Sequence, residues 1–372
     1  MISMIKGPIT YSFEELVAFK VGGLADEKAL GALRAEADQI LDEKLLRVTD
    51  KTVRAPSGNP HDYATRGRYW WPNPDTPDGL PWINRDGYSN PDSTDGITPA
   101  LLFSRIKKLA LAAFYFEDKA RIYADYAMRQ LYEWYINPET KMTPHAKYAQ
   151  GIPGICEGRC TGLIDFSSVF VLFDAIGIFD CLGLVLPDVI CGVKEWYNVF
   201  TDWMLTHEYG LGESNDFDNH GSWYDAQILC SAVFCNRPQL ARKICKTAYS
   251  YRVKRMILPD GSQPSELRRT QAFNYSFYNL EALRVIAAVA ERLGYNEYWG
   301  IDSERGVCIL KSAVDFLTAP SQNPSDFPYT EFHPERLPQS LAKSMRSVGK
   351  RYDGYTEMAD AICKAKLIEP SI

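Results

Sequence analysis

The chain has 372 residues, with 41 Lys+Arg against 47 Asp+Glu and a formal net charge of −6. Its 46% apolar and 24% charged residues exclude a disordered chain, and the lack of a basic block excludes nucleic-acid binding through phosphates. Aromatic residues make up 13% of the chain, and the flat faces and polar tips of Tyr and Trp suit sugar rings as well as a protein core.

The N-terminal stretch MISMIKGPITYSFEELVAFK has no long apolar run and no small-residue cleavage site, so no secretory signal is read there. The pattern that follows is helical. Residues 25–46 repeat apolar positions at three and four, as an amphipathic helix does. Further helices are predicted near 98–116, 118–136, 161–183, 188–206, 222–235, 238–255, 271–293, 303–318 and 355–366. Strand-like alternation is scarce and strict repeats are absent. The expected class is therefore all-α, with stacked helical hairpins forming either a solenoid or a closed toroid, and the missing repeat weighs against the solenoid. A single domain over 1–372 is expected. Its non-helical stretches are 54–97, an aromatic loop or lid, and 319–339, which opens a C-terminal extension over 319–372. Loops this long in a compact domain are often functional.

Val169–Cys191 is the most apolar stretch, but Asp174, Asp180, Asp188 and Pro187 interrupt it, so it reads as a buried core helix and not a membrane span. The nine cysteines are an odd number, and several lie in apolar runs, which predicts free buried thiols in a reducing compartment. Cys156 and Cys160 lack a second pair, so no metal site is expected.

Four segments carry chemistry. The loop 54–97 contains Tyr69, Trp70, Trp71 and Trp82. The segment 145–166 contains His145, Lys147, Gln150 and Arg159 among Gly151, Gly154, Gly158 and Gly162, glycines that let a backbone approach a ligand. In NDFDNHGSWYDAQ, Gly221 reads as a break and Ser222 with Asp225 as a capping box, which places Asn219 and His220 just before a helix N-terminus suited to an anion. In PDGSQPSELRRTQAFNYSFYNL, the helical wheel at ~100° per residue favours Arg268 over Arg269 as the partner of Tyr275.

Together, YWWPNPDTPDGLPWINRDG, YAQGIPG with GR and GLIDF, DNHGSWYDAQ and PDGSQPSELRRTQAFNY resemble the alginate lyase family of polysaccharide lyases. The resemblance runs from about Arg68 to Leu280 and implies an incomplete (α/α) toroid that cleaves 1,4-linked uronates, of alginate or glucuronan type, by β-elimination. It places the carboxylate-neutralising Asn and His on Asn219 and His220, the Arg on Arg269, and the Tyr on Tyr275. Asp218 departs from the common Asn-Asn-His pattern. Either His220 or Tyr275 is the base on this reading. Tyr69, Trp70, Trp71, Gln150, Arg159, Trp223, Tyr224, Gln263 and Arg268 are candidates for substrate contact. No cofactor is implied, and the expected partner is an anionic uronate oligo- or polysaccharide, with neither nucleic acid nor membrane. The formal sequon Asn274-Tyr275-Ser276 would place a glycan beside Tyr275, which with the cysteines favours a cytoplasmic enzyme acting on imported oligosaccharides. The alternatives are a glycoside hydrolase, which would need a carboxylate pair from Asp165, Asp225 and Glu266, and a non-catalytic sugar-binding protein. The site of a lyase must be locally positive despite the −6 net charge.

Overall fold

The computed structural model describes residues 5–322, 327–332, 337–362 and 368–370. His333 and Cys363 lie outside them. Fifteen α-helices are described: α1 (Phe13–Val21), α2 (Glu27–Asp42), α3 (Pro99–Tyr115), α4 (Ala120–Tyr135), α5 (Val169–Cys181), α6 (Pro187–Thr206), α7 (Glu208–Ser214), α8 (Asn219–Phe234), α9 (Pro238–Ala248), α10 (Lys254–Met256), α11 (Pro264–Leu267), α12 (Ala272–Arg292), α13 (Ile309–Gln322), α14 (Leu337–Gly349) and α15 (Tyr355–Ile362). Four short strands accompany them: β1 (Ala64–Arg66), β2 (Trp70–Trp71), β3 (Ile83–Asn84) and β4 (Tyr148–Gly151).

The helix starts follow local chemistry. Ser12 and Glu15 form a reciprocal capping box on α1, Thr98 caps α3 ahead of Pro99, and Pro187 occupies the first turn of α6. Between α9 and α10 the chain passes through a π-helical turn, Tyr249–Val253, so the predicted helix 238–255 is present with a π-turn inside it.

The helices pair as hairpins α3–α4, α8–α9 and α12–α13, while α6 packs on α4 and α8. Helices α3, α5, α8 and α12 pack side by side as an inner arc, with α4, α6, α9 and α13 outside them. Burial explains the order. Helix α8 is buried from Gly221 to Val233 and α12 from Leu280 to Ala290 apart from Glu281, whereas α9 buries only Ala241, Ile244, Cys245 and Ala248. One continuous hydrophobic cluster runs from Ile9 to Ala359. The arc between α12 and α3 is bridged by both ends of the chain. Arg292 donates to the Pro8 and Tyr11 carbonyls, Arg284 donates to Ser344 and Ser347 on α14, and Lys107 on α3 pairs with Glu369.

The apolar stretch is interior, as expected. Cys160–Cys181 is long and apolar enough to cross a membrane, yet most of it is buried in protein. Asp174 within it accepts from the backbone N–H groups of Ile9 (2.6 Å) and Thr10 (2.9 Å), and burial pushes its carboxyl up to about 6. The eight described cysteines are all free. Only Cys230, Cys245 and Cys308 are buried, while Cys181 and Cys191 are exposed, so the buried-thiol expectation holds for part of the set.

The aromatic loop is more ordered than its composition suggests. Strand β1 pairs in parallel with β4, and β2 pairs antiparallel with β3, setting Trp70 opposite Asn84 and Trp71 opposite Ile83. At the base of the loop Asp95 binds the Lys51 ammonium (2.8 Å) and the backbone N–H groups of Thr52 (2.6 Å) and Val53 (3.1 Å).

Candidate active site

Over the inner arc, the aromatic loop, strand β4, the start of α8 and the α11–α12 connection enclose a cavity of about 1310 Å³. Asn219, His220, Arg269 and Tyr275 all line it, with Tyr69, Trp70, Trp71, Gln150 and Arg159. Residues far apart in sequence thus meet in one cleft.

Asn219 and His220 are the first two residues of α8, not residues before it. Asp218 is the N-cap, and its side chain accepts from the His220 N–H at 2.8 Å. The carboxylate that departs from the family pattern is therefore engaged by the helix end. Ser222 and Asp225 lie inside α8 instead of forming a capping box: Ser222 is buried against the Met256 sulfur, and Asp225 pairs with Arg252 at 2.8 Å. Gly221 does not break the chain. It sits in the first turn of α8 because a Cβ there would stand 2.1 Å from the Asp216 carbonyl.

Asn219 is nearly inaccessible, and both its N–H (2.6 Å) and its Nδ2 (2.9 Å) donate to the Glu266 carboxylate. Burial, partly countered by these bonds, raises the Glu266 carboxyl to about 7. His220 presents Nδ1 to Glu213 at 2.7 Å, with its side chain 19% exposed. Burial opposes the charge on His220, but Glu213, Asp218 and Asp216 together raise its pKa above the ordinary value.

Arg269 donates to Asp86 on the aromatic loop at 2.9 Å, and its guanidinium carbon lies 3.8 Å from the centre of the Tyr275 ring. Thr270 also donates to Asp86 (2.9 Å), and Gln271 to the Gly87 carbonyl (3.0 Å). The Tyr275 hydroxyl donates to that of Tyr69 at 2.8 Å. Burial, then the Tyr69 hydroxyl, push the Tyr275 phenol well above its ordinary value, against the lowering effect of Arg269. Arg269 stacks on the ring face and gives one N–H to Asp86, and its lowering effect does not outweigh burial and the Tyr69 hydroxyl, so the phenol stays protonated.

On the opposite wall, Gln150 has a left-handed backbone, with φ of 51°. Its N–H is held by Thr65 (2.9 Å) and its Nε2 by Asp165 (2.9 Å), and its Oε1 accepts from Arg159 (2.8 Å). Asp165 thereby fixes the Arg159 guanidinium through Gln150. The glycines nearby serve strand packing rather than ligand approach. A Cβ on Gly158 would lie 2.0 Å from the Lys147 carbonyl, and one on Gly162 would lie 2.5 Å from that of Ala149.

The sequence profile of the alginate lyase family matches residues 47–327. The chain is similar to a crystal structure of an alginate lyase from Bacteroides ovatus, at 30% identity over 98% of each chain with a TM-score of 0.91. It belongs to the alginate lyase family. It is a polysaccharide lyase. Alginate lyase A1-III from Sphingomonas species A1 shares the fold at 17% identity, covering 87% of this chain and 81% of that one with a TM-score of 0.50. A substituted form of alginate lyase A1-III complexed with tetrasaccharide covers 95% of this chain and 91% of that one, at 16% identity and a TM-score of 0.53. These neighbours are consistent with the toroid expected from the sequence. No curated protein matches.

Several residues expected to meet substrate do not line the cavity of this lyase. Trp223 and Tyr224 face the core from α8. Trp223 stacks 6.2 Å from Phe170, and the Tyr224 hydroxyl donates to the Met204 carbonyl at 3.0 Å. Gln263 is buried between Ser276 and Asn279. Arg268 is exposed beside Ser265, because α11 ends before it and a new helix begins after Gln271; the wheel relation to Tyr275 therefore fails. His145 lies against Asp62 and Trp203, away from the cleft. The residues missed by sequence reasoning are Asp86, Glu213, Arg66, Arg68, Asn90 and Tyr278. The NRDG turn around Asp86 was a weak local signal, and Glu213 had none.

Arg66, Arg68, Arg159, Arg269 and His220 face the cavity against Asp86 and Asp165. The wall is cationic although the chain is acidic overall. Elsewhere, Cys160, Glu213 and Asp216 bring a thiol and two carboxylates within 4.8 Å of one another. Glu213 is already engaged there by His220.

Proposed function

We propose that this lyase cleaves a 1,4-linked uronate chain of alginate or glucuronan type by β-elimination, with His220 as the base and Tyr275 as the proton donor. The observation that carries this assignment is the contrast between the two groups. The Tyr275 phenol is buried and protonated, whereas His220 has one nitrogen on Glu213 and the other left for the cavity.

The C5 proton of a uronate is weakly acidic, and its removal builds an enolate-like dianion on the carboxylate. The Arg269 N–H groups not engaged by Asp86, with the second Nδ2 hydrogen of Asn219 beyond the one held by Glu266, stabilise that charge more than the ground state, which lowers the barrier. Nε2 of His220 takes the C5 proton, the electron pair forms the C4–C5 double bond, and the C4–O4 bond breaks. The Tyr275 hydroxyl delivers its proton to O4. Arg159, Arg66 and Arg68 attract the neighbouring carboxylates, while Trp70 and Trp71 offer ring faces.

The test is ultraviolet absorbance of the unsaturated product with uronate oligosaccharides and polymers. His220→Ala and Tyr275→Phe are each expected to lose ~10²–10⁴-fold in kcat while retaining binding. Full activity in His220→Ala would transfer the base role to Tyr275. Absence of any absorbance gain across the uronate panel would refute the substrate assignment.

A further inference from the structure

We propose that Glu213 is a positioning residue for this reaction: it accepts the Nδ1 proton of His220, fixes the ring, and leaves Nε2 bare toward the cleft. This rests on the reading of His220 as the base.

The geometry is specific. Glu213 is 1% exposed and its Oε1 lies 2.7 Å from Nδ1. Its Oε2 is buried without a hydrogen-bond partner among the described residues, so the imidazole is the main proton source that the carboxylate can reach. An ionised carboxylate is acceptor-only, so the bond requires the proton on Nδ1. A neutral His220 then carries its lone pair on Nε2, the atom that a base needs. The same arrangement in reverse, with the proton on Nε2, would set two lone pairs against each other and disarm the base.

The surroundings reinforce the hold. Asp218 bonds the His220 N–H, Asp216 lies near both groups, and Cys160 approaches Glu213 from the segment before α5. Arg159 and Tyr278 complete the charged and titratable neighbours. Arg252 stands behind, donating to the Asp216 (2.6 Å) and Ser214 (2.7 Å) carbonyls, so its charge is directed at the turn and not at Glu213. The net field on His220 is negative, which strengthens it as a base and places its titration above the ordinary value.

The experiment follows His220 by imidazole nitrogen NMR without substrate, alongside pH–rate profiles for the wild type, Glu213→Gln and Glu213→Asp. In the wild type, the neutral ring should be the Nδ1–H tautomer. In Glu213→Gln, the titration of His220 and the acid limb of kcat should both move about one unit lower, since one unit corresponds to a modest change in local charge. kcat should fall ~10–100-fold with KM little changed, and Glu213→Asp should recover part of the loss. A wild-type Nε2–H tautomer, or identical His220 titration in Glu213→Gln, overturns the proposal. A loss of activity that follows only a loss of folded protein, with an unmoved acid limb, also overturns it. The NMR arm does not use turnover, so failure of His220 as the base, read from His220→Ala, is distinguished from failure of the Glu213 hold.

Discussion

The hydroxyl of Tyr275 in the first turn of α12 meets that of Tyr69 in the aromatic loop at 2.8 Å. Together with the Arg269–Asp86 pair at 2.9 Å, it joins the loop to the reaction centre. Under the proposed mechanism the loop is thus part of the proton-transfer site, because it supplies the acceptor that holds the phenol.

Tyr69→Phe removes that acceptor while keeping the ring. The Tyr275 hydroxyl should then turn more freely, and kcat should fall ~10-fold, much less than in Tyr275→Phe, with thermal stability changed by less than ~1 kcal/mol. Steady-state kinetics of the two variants on one oligosaccharide check the ranking. Equal losses would mean that Tyr69 itself carries chemistry.

Arg269→Lys tests the carboxylate contact. Lysine keeps the charge but loses the planar fork and the stacking on Tyr275. A loss of ~10²–10³ in kcat/KM is expected, as for removal of a donor aimed at developing negative charge. Arg268→Ala, an exposed neighbour, should leave kcat/KM within about twofold, in line with the small effects of surface changes. A large effect of Arg268 would reverse the assignment of the two arginines.

Much of the cleft was readable because its polar residues come in short blocks. Asn219, His220, Arg269 and Tyr275, singled out by the family resemblance, all line one cleft. The helices were readable too, since α3, α4, α6 and α12 are long, periodic and punctuated by Pro or Gly. What failed had physical reasons. Trp223 and Tyr224 sit next to His220 in sequence, but a helix turns ~100° per residue, so they point into the core while His220 faces the cavity. Arg268 was favoured by a continuous wheel that the break between α11 and α12 removes. Helix α14 fell inside a stretch read partly as loop, because its Pro-rich approach masked the pattern. The Glu213 and Asp86 partnerships join separate elements, and no local pattern encodes such a meeting.

The core reading of Tyr224 makes a distinct prediction. Its hydroxyl donates to the Met204 carbonyl, buried at the end of α6. Tyr224→Phe leaves that carbonyl without its donor and should cost about 1–2 kcal/mol in stability. KM and kcat should stay unchanged within error. A raised KM with unaltered melting would restore the role in sugar stacking.

Asp95 predicts a pH-dependent stability of the loop base. Burial alone would raise its carboxyl, but Lys51 and the Thr52 and Val53 N–H groups hold it at about 2, below the ~3.9 of an unfolded chain. Because the folded value is depressed, the stabilisation is fully present above about pH 4 and is lost as pH falls through about 2. Asp95→Asn should therefore cost about 1–2 kcal/mol at pH 7, discounted from the full shift because solvent reaches part of the pair. Denaturant melts of wild type and variant at pH 7, 5, 4 and 3 should show the difference shrinking only below pH 4. A gap that is constant down to pH 3 would show that Asp95 acts through packing and not through its charge.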